Sequence, residues 1–101
     1  MNPFDHTFEA GGKTYTMRYN FGVRRAFERE HKKTVPALLS ELATPETHTA
    51  DNLLLAYRML FSSCHSEMTE DDIAALIDTM GEDRAVSEMA AAVTEGTLSR
   101  P

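Results

Sequence analysis

The residues of this sequence whose types could support chemistry are four histidines, one cysteine and two acidic groups. The histidines are never four residues apart and form no HExxH motif, so no helical zinc pair is indicated; they are His6, His31, His48 and His65. Cys64 and His65 are adjacent, and on a helix adjacent side chains point about 100° apart. This arrangement disfavours both a nucleophile–base pair and a shared zinc ion. In an apolar stripe, a single cysteine is more often a small buried hydrophobe than a nucleophile.

The acidic groups and the glycine pair also have simpler explanations than a binding site. Glu70-Asp71-Asp72 and Glu82-Asp83 lack the alternating Asp/Asn ligands, central glycine and terminal glutamate of an EF-hand loop. Negative charge at the starts of two helices accounts for both groups. Gly11-Gly12-Lys13 joins two predicted strands, and no GxxxxGK[ST] motif is present. We therefore expect no catalytic residue, no metal site and no cofactor, and a protein that is not an enzyme.

Residues 6–19 predict a β-hairpin at the start of the chain. Gly11 and Gly12 can take the positive φ angles that a tight hairpin turn requires. Tyr15, Met17 and Tyr19 alternate with polar residues, which gives the second strand one apolar face. Because two strands alone are marginally stable in water, this face is expected to pack on helices.

Four or five helices are predicted after the hairpin. Asn20 and Thr49 are expected to cap two of them, Thr69 and Asp72 form a capping box, and Gly81 ends the helix that this box opens. The predicted helices cover residues 21 to about 32, 37–43, 50–65, 70–80 and 82 to about 94. The fold class is therefore α+β, mostly helical, with an N-terminal β-hairpin packed on a bundle of four to five short helices. A single domain spans residues 1–101, with flexible ends at 1–5 and 95–101.

Composition and charge limit the classes of function. The chain is 42% hydrophobic and 26% charged, which is typical of a globular protein, and its net charge is −6. Residues 1–33 carry +3 and residues 34–101 carry −9. An acidic body disfavours nucleic acid and anionic membranes as partners. No apolar run is long enough to span a membrane, no signal peptide is recognised, and a lone cysteine suits a reducing cytoplasm.

The helix predicted over residues 50–65 is apolar on two sides, as expected of a central helix or one that contacts another chain. Leu55 and Met59 lie opposite its main apolar stripe, and with Phe4 they are candidates for an exposed apolar contact. Burial inside the protein explains the apolar character of these three residues nearly as well as contact with another chain does.

A basic stripe in the first predicted helix is the second candidate partner-binding surface. It contains Arg24, Arg25, Arg29, Lys32 and Lys33, and two glutamates interrupt it. No aromatic side chain is expected beside it to stack on bases. We therefore favour a solvated helix face, or one that docks on the acidic C-terminal half of the chain, over nucleic-acid binding.

The order of these elements resembles a known family. FEAGGKTYTMRY at 8–19 leads into FGVRRAFERE at 21–30; a leucine-containing short helix, a long apolar helix and TEDDIAALID at 69–78 follow. This order resembles the small tail assembly chaperones of long-tailed bacteriophages, including those of gene transfer agents, over about residues 6–94. Met17 stands where such proteins often have leucine, and Phe21-Gly22 stands where a plainer helical start is common.

The resemblance implies a non-enzymatic role in the host bacterial cytoplasm. Such chaperones bind the tape measure protein and keep it soluble until tail tube subunits polymerise around it, and they are absent from the finished particle. In many phages a frameshifted longer form also recruits tail tube protein. Self-association fits this role, because many weak copies bind well along a long helix. Two alternatives remain: a structural tail or head–tail connector component, and a small nucleic-acid-binding regulator that uses Arg24, Arg25 and Arg29.

Overall fold

The computed structural model describes residues 2–98, which form a two-stranded sheet followed by five helices. The elements are β1 (Asp5–Ala10), β2 (Lys13–Arg18), α1 (Phe21–His31), α2 (Val35–Ala43), α3 (Ala50–Phe61), α4 (Glu70–Met80) and α5 (Glu82–Leu98). The predicted α+β fold, mostly helical with the hairpin first, is confirmed. None of the helices within 2–98 is both long and apolar enough to cross a lipid bilayer.

The hairpin forms where the glycine pair predicts it. β1 and β2 are antiparallel, with Asp5 opposite Arg18 and Ala10 opposite Lys13. Gly11 and Gly12 both have positive φ, at 58° and 79°, as a two-residue hairpin turn requires. Asp5 falls within the predicted flexible N-terminal end, but it lies in β1, where it accepts hydrogen bonds from the Arg18 guanidinium at 2.7 and 3.3 Å.

Four helices begin at a polar cap. The side chains of Asn20, Thr34, Thr49 and Thr69 each accept a hydrogen bond from a backbone N–H three residues later. The predicted capping box is complete, because the Asp72 carboxylate also accepts from the Thr69 N–H at 2.9 Å. Gly81 follows α4 with φ of 86°, a backbone angle that side chains disfavour. These starts and stops are fixed by local contacts.

Two helix ends differ from the prediction. α3 ends at Phe61, four residues before His65, where the Ser62 hydroxyl donates to the Met59 carbonyl at 2.7 Å and competes with the helical backbone. α5 continues to Leu98, so residues 95–98, predicted to be a flexible end, are helical. Residues 2–4, also within the predicted flexible ends, are described and form a turn that the Asp5 N–H closes by donating to the Asn2 carbonyl at 3.0 Å, whereas Met1 and residues 99–101 lie outside the described residues.

α3 is the centre of the core and packs against the other four helices and β2. Its largest fully buried side chains are Leu53, Tyr57, Leu60 and Phe61. The Tyr57 hydroxyl donates to the Ala85 carbonyl of α5 at 2.6 Å, and burial raises the pKa of this phenol well above its usual range. The phenol therefore stays neutral and acts as a structural link between α3 and α5.

Candidate partner-binding surfaces

The outer face of α1 presents an exposed aromatic ring among arginines. Phe21 is the first residue of the helix, directly after the cap Asn20, and it is 75% exposed. Arg24, Arg25 and Arg29 follow three, four and eight residues later, so helical spacing places them on the same side. We call these four residues the basic face. The expectation that no aromatic accompanies the arginines is wrong, because the buried stripe of α1 points the other way and leaves Phe21 in solvent.

The charges of the basic face are only partly neutralised. Arg24 Nε lies 3.1 Å from Glu28 Oε2, which also accepts from the Val35 N–H at the start of α2, at 2.9 Å. The backbone hydrogen bond from Val35, followed by the contact with Arg24, lowers the pKa of Glu28. Arg25 and Arg29 form no ion pair with any residue from 2 to 98. Two free cations therefore flank the Phe21 ring.

A second surface is an apolar groove between α2 and α5. Its volume is about 240 Å³. The groove is lined by Leu39, Leu42, Ala43, Val86, Met89, Ala90, Val93 and Thr94. Leu42, Met89 and Val93 are buried, whereas Ala43 and Ala90 are exposed at the rim. We call this surface the apolar groove.

One end of the apolar groove is acidic. Glu82 and Asp83 precede Val86 by four and three residues, and this spacing places them on the same face of α5 as the lining residues. Both side chains are exposed, and neither forms an ion pair within residues 2–98. The groove therefore combines apolar walls with two free carboxylates.

The apolar candidates from the sequence do not form a surface together. Met59 is 5% exposed and belongs to the core, and Leu55 packs against that core. Phe4 is half-buried beside the hairpin, where its carbonyl accepts from the Tyr19 N–H at 3.4 Å. Burial inside the protein therefore accounts for Met59, and no one of the three is fully exposed. Phe21 and Leu98 are the large hydrophobic residues exposed within the described chain.

A wider cavity of about 560 Å³, with both polar and apolar residues in its lining, lies between the hairpin turn and α4. His65 lines it, and His65 Nε2 accepts a hydrogen bond from the Thr16 N–H at 3.0 Å, so this ring supports the outer edge of β2. Within residues 2–98, no three His, Cys, Asp or Glu side chains are arranged to hold a metal ion. The side chains that line the cavity include Lys13, Glu67 and Asp72, and His65 Nδ1 lies 3.8 Å from Glu67 Oε2.

His6 of β1 connects the hairpin to α5 through two carboxylates. Its Nε2 lies 2.8 Å from Glu88 Oε1 and its Nδ1 lies 3.0 Å from Glu95 Oε2. Both ring nitrogens of His6 therefore contact a carboxylate oxygen of α5, which holds β1 against this helix at two points. The hydrogen bond from His6, followed by that from Arg84, lowers the pKa of Glu88.

The lowered pKa of Glu88 predicts how stability changes with pH. The pKa of Glu88 is lower in the folded protein than in the unfolded chain. Ionised Glu88 therefore stabilises the fold, and this contribution is fully present above the pKa of the unfolded chain. The contribution is lost as the pH falls through the folded-state pKa. We expect Glu88→Gln to be less stable than the wild type in urea at about pH 6, and the difference to shrink toward about pH 3. A difference that stays constant over this range would contradict the carboxylate's role.

Comparisons with protein-family models, curated proteins and solved structures found no match to this chain.

Proposed function

We propose that this chain is a non-enzymatic phage tail assembly chaperone that binds the tape measure protein and keeps it soluble while the tail tube assembles. The observation that supports this function best is the apolar groove between α2 and α5. The order of hairpin and helices, on which the resemblance rests, supports it as well.

The lining of the groove suits one face of a helical client. Val86, Met89, Ala90 and Val93 follow the i, i+3, i+4, i+7 spacing of a stripe that normally packs on another helix. Ala90 is exposed and Val86 is half-buried, so part of this stripe remains accessible beside α2. An amphipathic helix can place its apolar residues in such a groove.

The charge of the groove specifies the client further. Glu82 and Asp83 stand at its end, and residues 34–101 carry −9 overall. Opposite charges at the rim of an interface favour encounter and fix orientation. The client segment that fits best is therefore an apolar helix flanked by lysine or arginine.

Co-expression with fragments of a phage tape measure protein tests the proposal. Ala90→Glu places a carboxylate at the rim of the groove, and Ala74→Glu makes the same change on the exposed surface of α4, away from the groove. We expect the wild type and Ala74→Glu to co-purify with the fragment and increase its soluble fraction. Ala90→Glu should lose both effects while keeping the wild-type circular dichroism spectrum, because exposed substitutions change stability by only about 0.5 kcal/mol.

Equal client binding by the two variants would show that the groove is not the binding site. Absence of co-purification with every fragment would contradict the chaperone function itself. Mass spectrometry of purified particles addresses the structural alternative, since a chaperone is absent from the particle and a connector or minor tail protein is present.

A further inference from the structure

We infer that, when no client is bound, the apolar groove receives Phe21 from a second copy of this chain, so that copies associate through two different surfaces. The inference concerns the same groove as the proposed function and adds a form of regulation, since a client would have to displace Phe21. The inference can be tested without a client.

The first argument is the match between an exposed ring and a vacant apolar space. Phe21 is 75% exposed, and an exposed aromatic ring of this kind is typical of residues that anchor an interface. The groove has a volume of about 240 Å³. An apolar cavity of about 150 Å³ already admits a benzene ring. The groove is therefore large enough for the phenyl ring.

The second argument is charge complementarity around the two apolar elements. Arg25 and Arg29 flank Phe21 with no ion pair in residues 2–98, and Glu82 and Asp83 stand equally free at the end of the groove. Two basic faces that met each other would place like charges together. A basic face that meets the acidic end of a groove pairs opposite charges.

The third argument concerns the kind of assembly. The basic face belongs to α1 and the groove to α2 and α5, so every copy carries one of each surface. Such a contact is heterologous, because it joins two different surfaces. Copies can add one after another to form a chain, or two copies can form a closed dimer in which each ring enters the groove of the other copy. One ring and a few ion pairs bury less than a standard interface, so the association is weak and depends on concentration.

Analytical ultracentrifugation of the purified chain tests the inference through complementary variants. Phe21→Ala removes the ring but keeps the groove, and Ala90→Glu obstructs the groove but keeps the ring. We expect the average mass of the wild type and of Ala74→Glu to rise with concentration, and each of the two interface variants to stay monomeric. An equimolar mixture of these two variants should form dimers and nothing larger, because it contains one intact ring–groove pair. Raising the salt from about 0.05 M to about 0.5 M should weaken the association.

Three results would overturn the inference. They are a wild type that is monomeric at every concentration, interface variants that associate as the wild type does, and a mixture that remains monomeric. A monomeric wild type that binds a single-stranded oligonucleotide, with binding lost in Phe21→Ala, would assign the basic face to nucleic acid instead. None of these measurements uses a client, so the inference can fail while the proposed client binding stands.

Discussion

Replacing Phe61 with alanine is expected to lower the free energy of unfolding by about 3–5 kcal/mol. Phe61 is 1% exposed and lies where α3 meets both strands. Its ring centroid is 6.4 Å from that of Phe8, 6.0 Å from that of Tyr15, 5.6 Å from that of Tyr57 and 5.1 Å from that of His65. Truncation would remove the ring that these four aromatic side chains share and leave a cavity that they cannot fill without moving.

Urea unfolding followed by circular dichroism measures this effect. A domain of this size has a total stability of about 5–15 kcal/mol, so the loss would be a large part of it. Phe21→Ala is the matched control, because the same atoms are removed from a side chain that is 75% exposed. We expect that variant to stay within about 0.5 kcal/mol of the wild type. Similar losses in the two variants would contradict the positions of both rings.

Gly96→Ala is expected to destabilise the protein by about 1–3 kcal/mol, although the same change in an exposed helix usually stabilises. Gly96 is buried in α5, against the segment that joins β2 to α1. A methyl group there would meet the Tyr19 carbonyl oxygen well inside van der Waals contact and would lie 2.9 Å from the Tyr19 Cβ. Since the obstacle is backbone, α5 would have to move away from the hairpin.

Gly22→Ala provides a control with the opposite expected sign. Gly22 is exposed in α1, and the atom nearest to an added methyl group is Asn20 Oδ1 at 3.5 Å, an ordinary contact. We expect a gain of about 0.5–1 kcal/mol, because alanine restricts the unfolded chain and favours the helix. Thermal and urea unfolding of the two variants should give shifts in opposite directions. A gain in both would mean that α5 does not approach Tyr19 closely.

The features that could be predicted from the sequence are those decided by neighbouring residues. The Gly11-Gly12 turn and the Asn20, Thr49 and Thr69 caps each depend on contacts within a few positions. The last turn of α5 depends instead on Tyr19, 77 positions before Gly96. Local propensity treats a glycine near the end of a helix as a stop, whereas here the glycine allows the close approach of a distant backbone, which neighbouring residues cannot reveal.

The candidate surfaces were predicted only in part, for the same reason. Arg24, Arg25 and Arg29 follow from helical spacing, and Phe21 could have been placed beside them by counting three and four residues back. Helical spacing groups Val86, Met89, Ala90 and Val93 on one side of α5, yet periodicity cannot show whether such a stripe meets another helix or an open groove, and Ala90 is exposed. That distinction depends on how α2 and α5 are spaced, which is set by the packing of α3 beneath them. Met59 shows the same limit of periodicity. The sequence pattern offered it as an exposed contact on α3, but neighbouring elements bury it in the structure.

The ring of His65 has a consequence for how this protein behaves at high concentration. A two-stranded hairpin exposes unpaired backbone N–H and C=O groups along both of its edges. Strands from other molecules can pair with these groups and extend the sheet into fibrils. On the outer margin of β2, the N–H of Thr16 already donates to His65 Nε2. An imidazole thus takes the place that an intruding polypeptide would need, and this part of the hairpin is a poor template for amyloid-like growth.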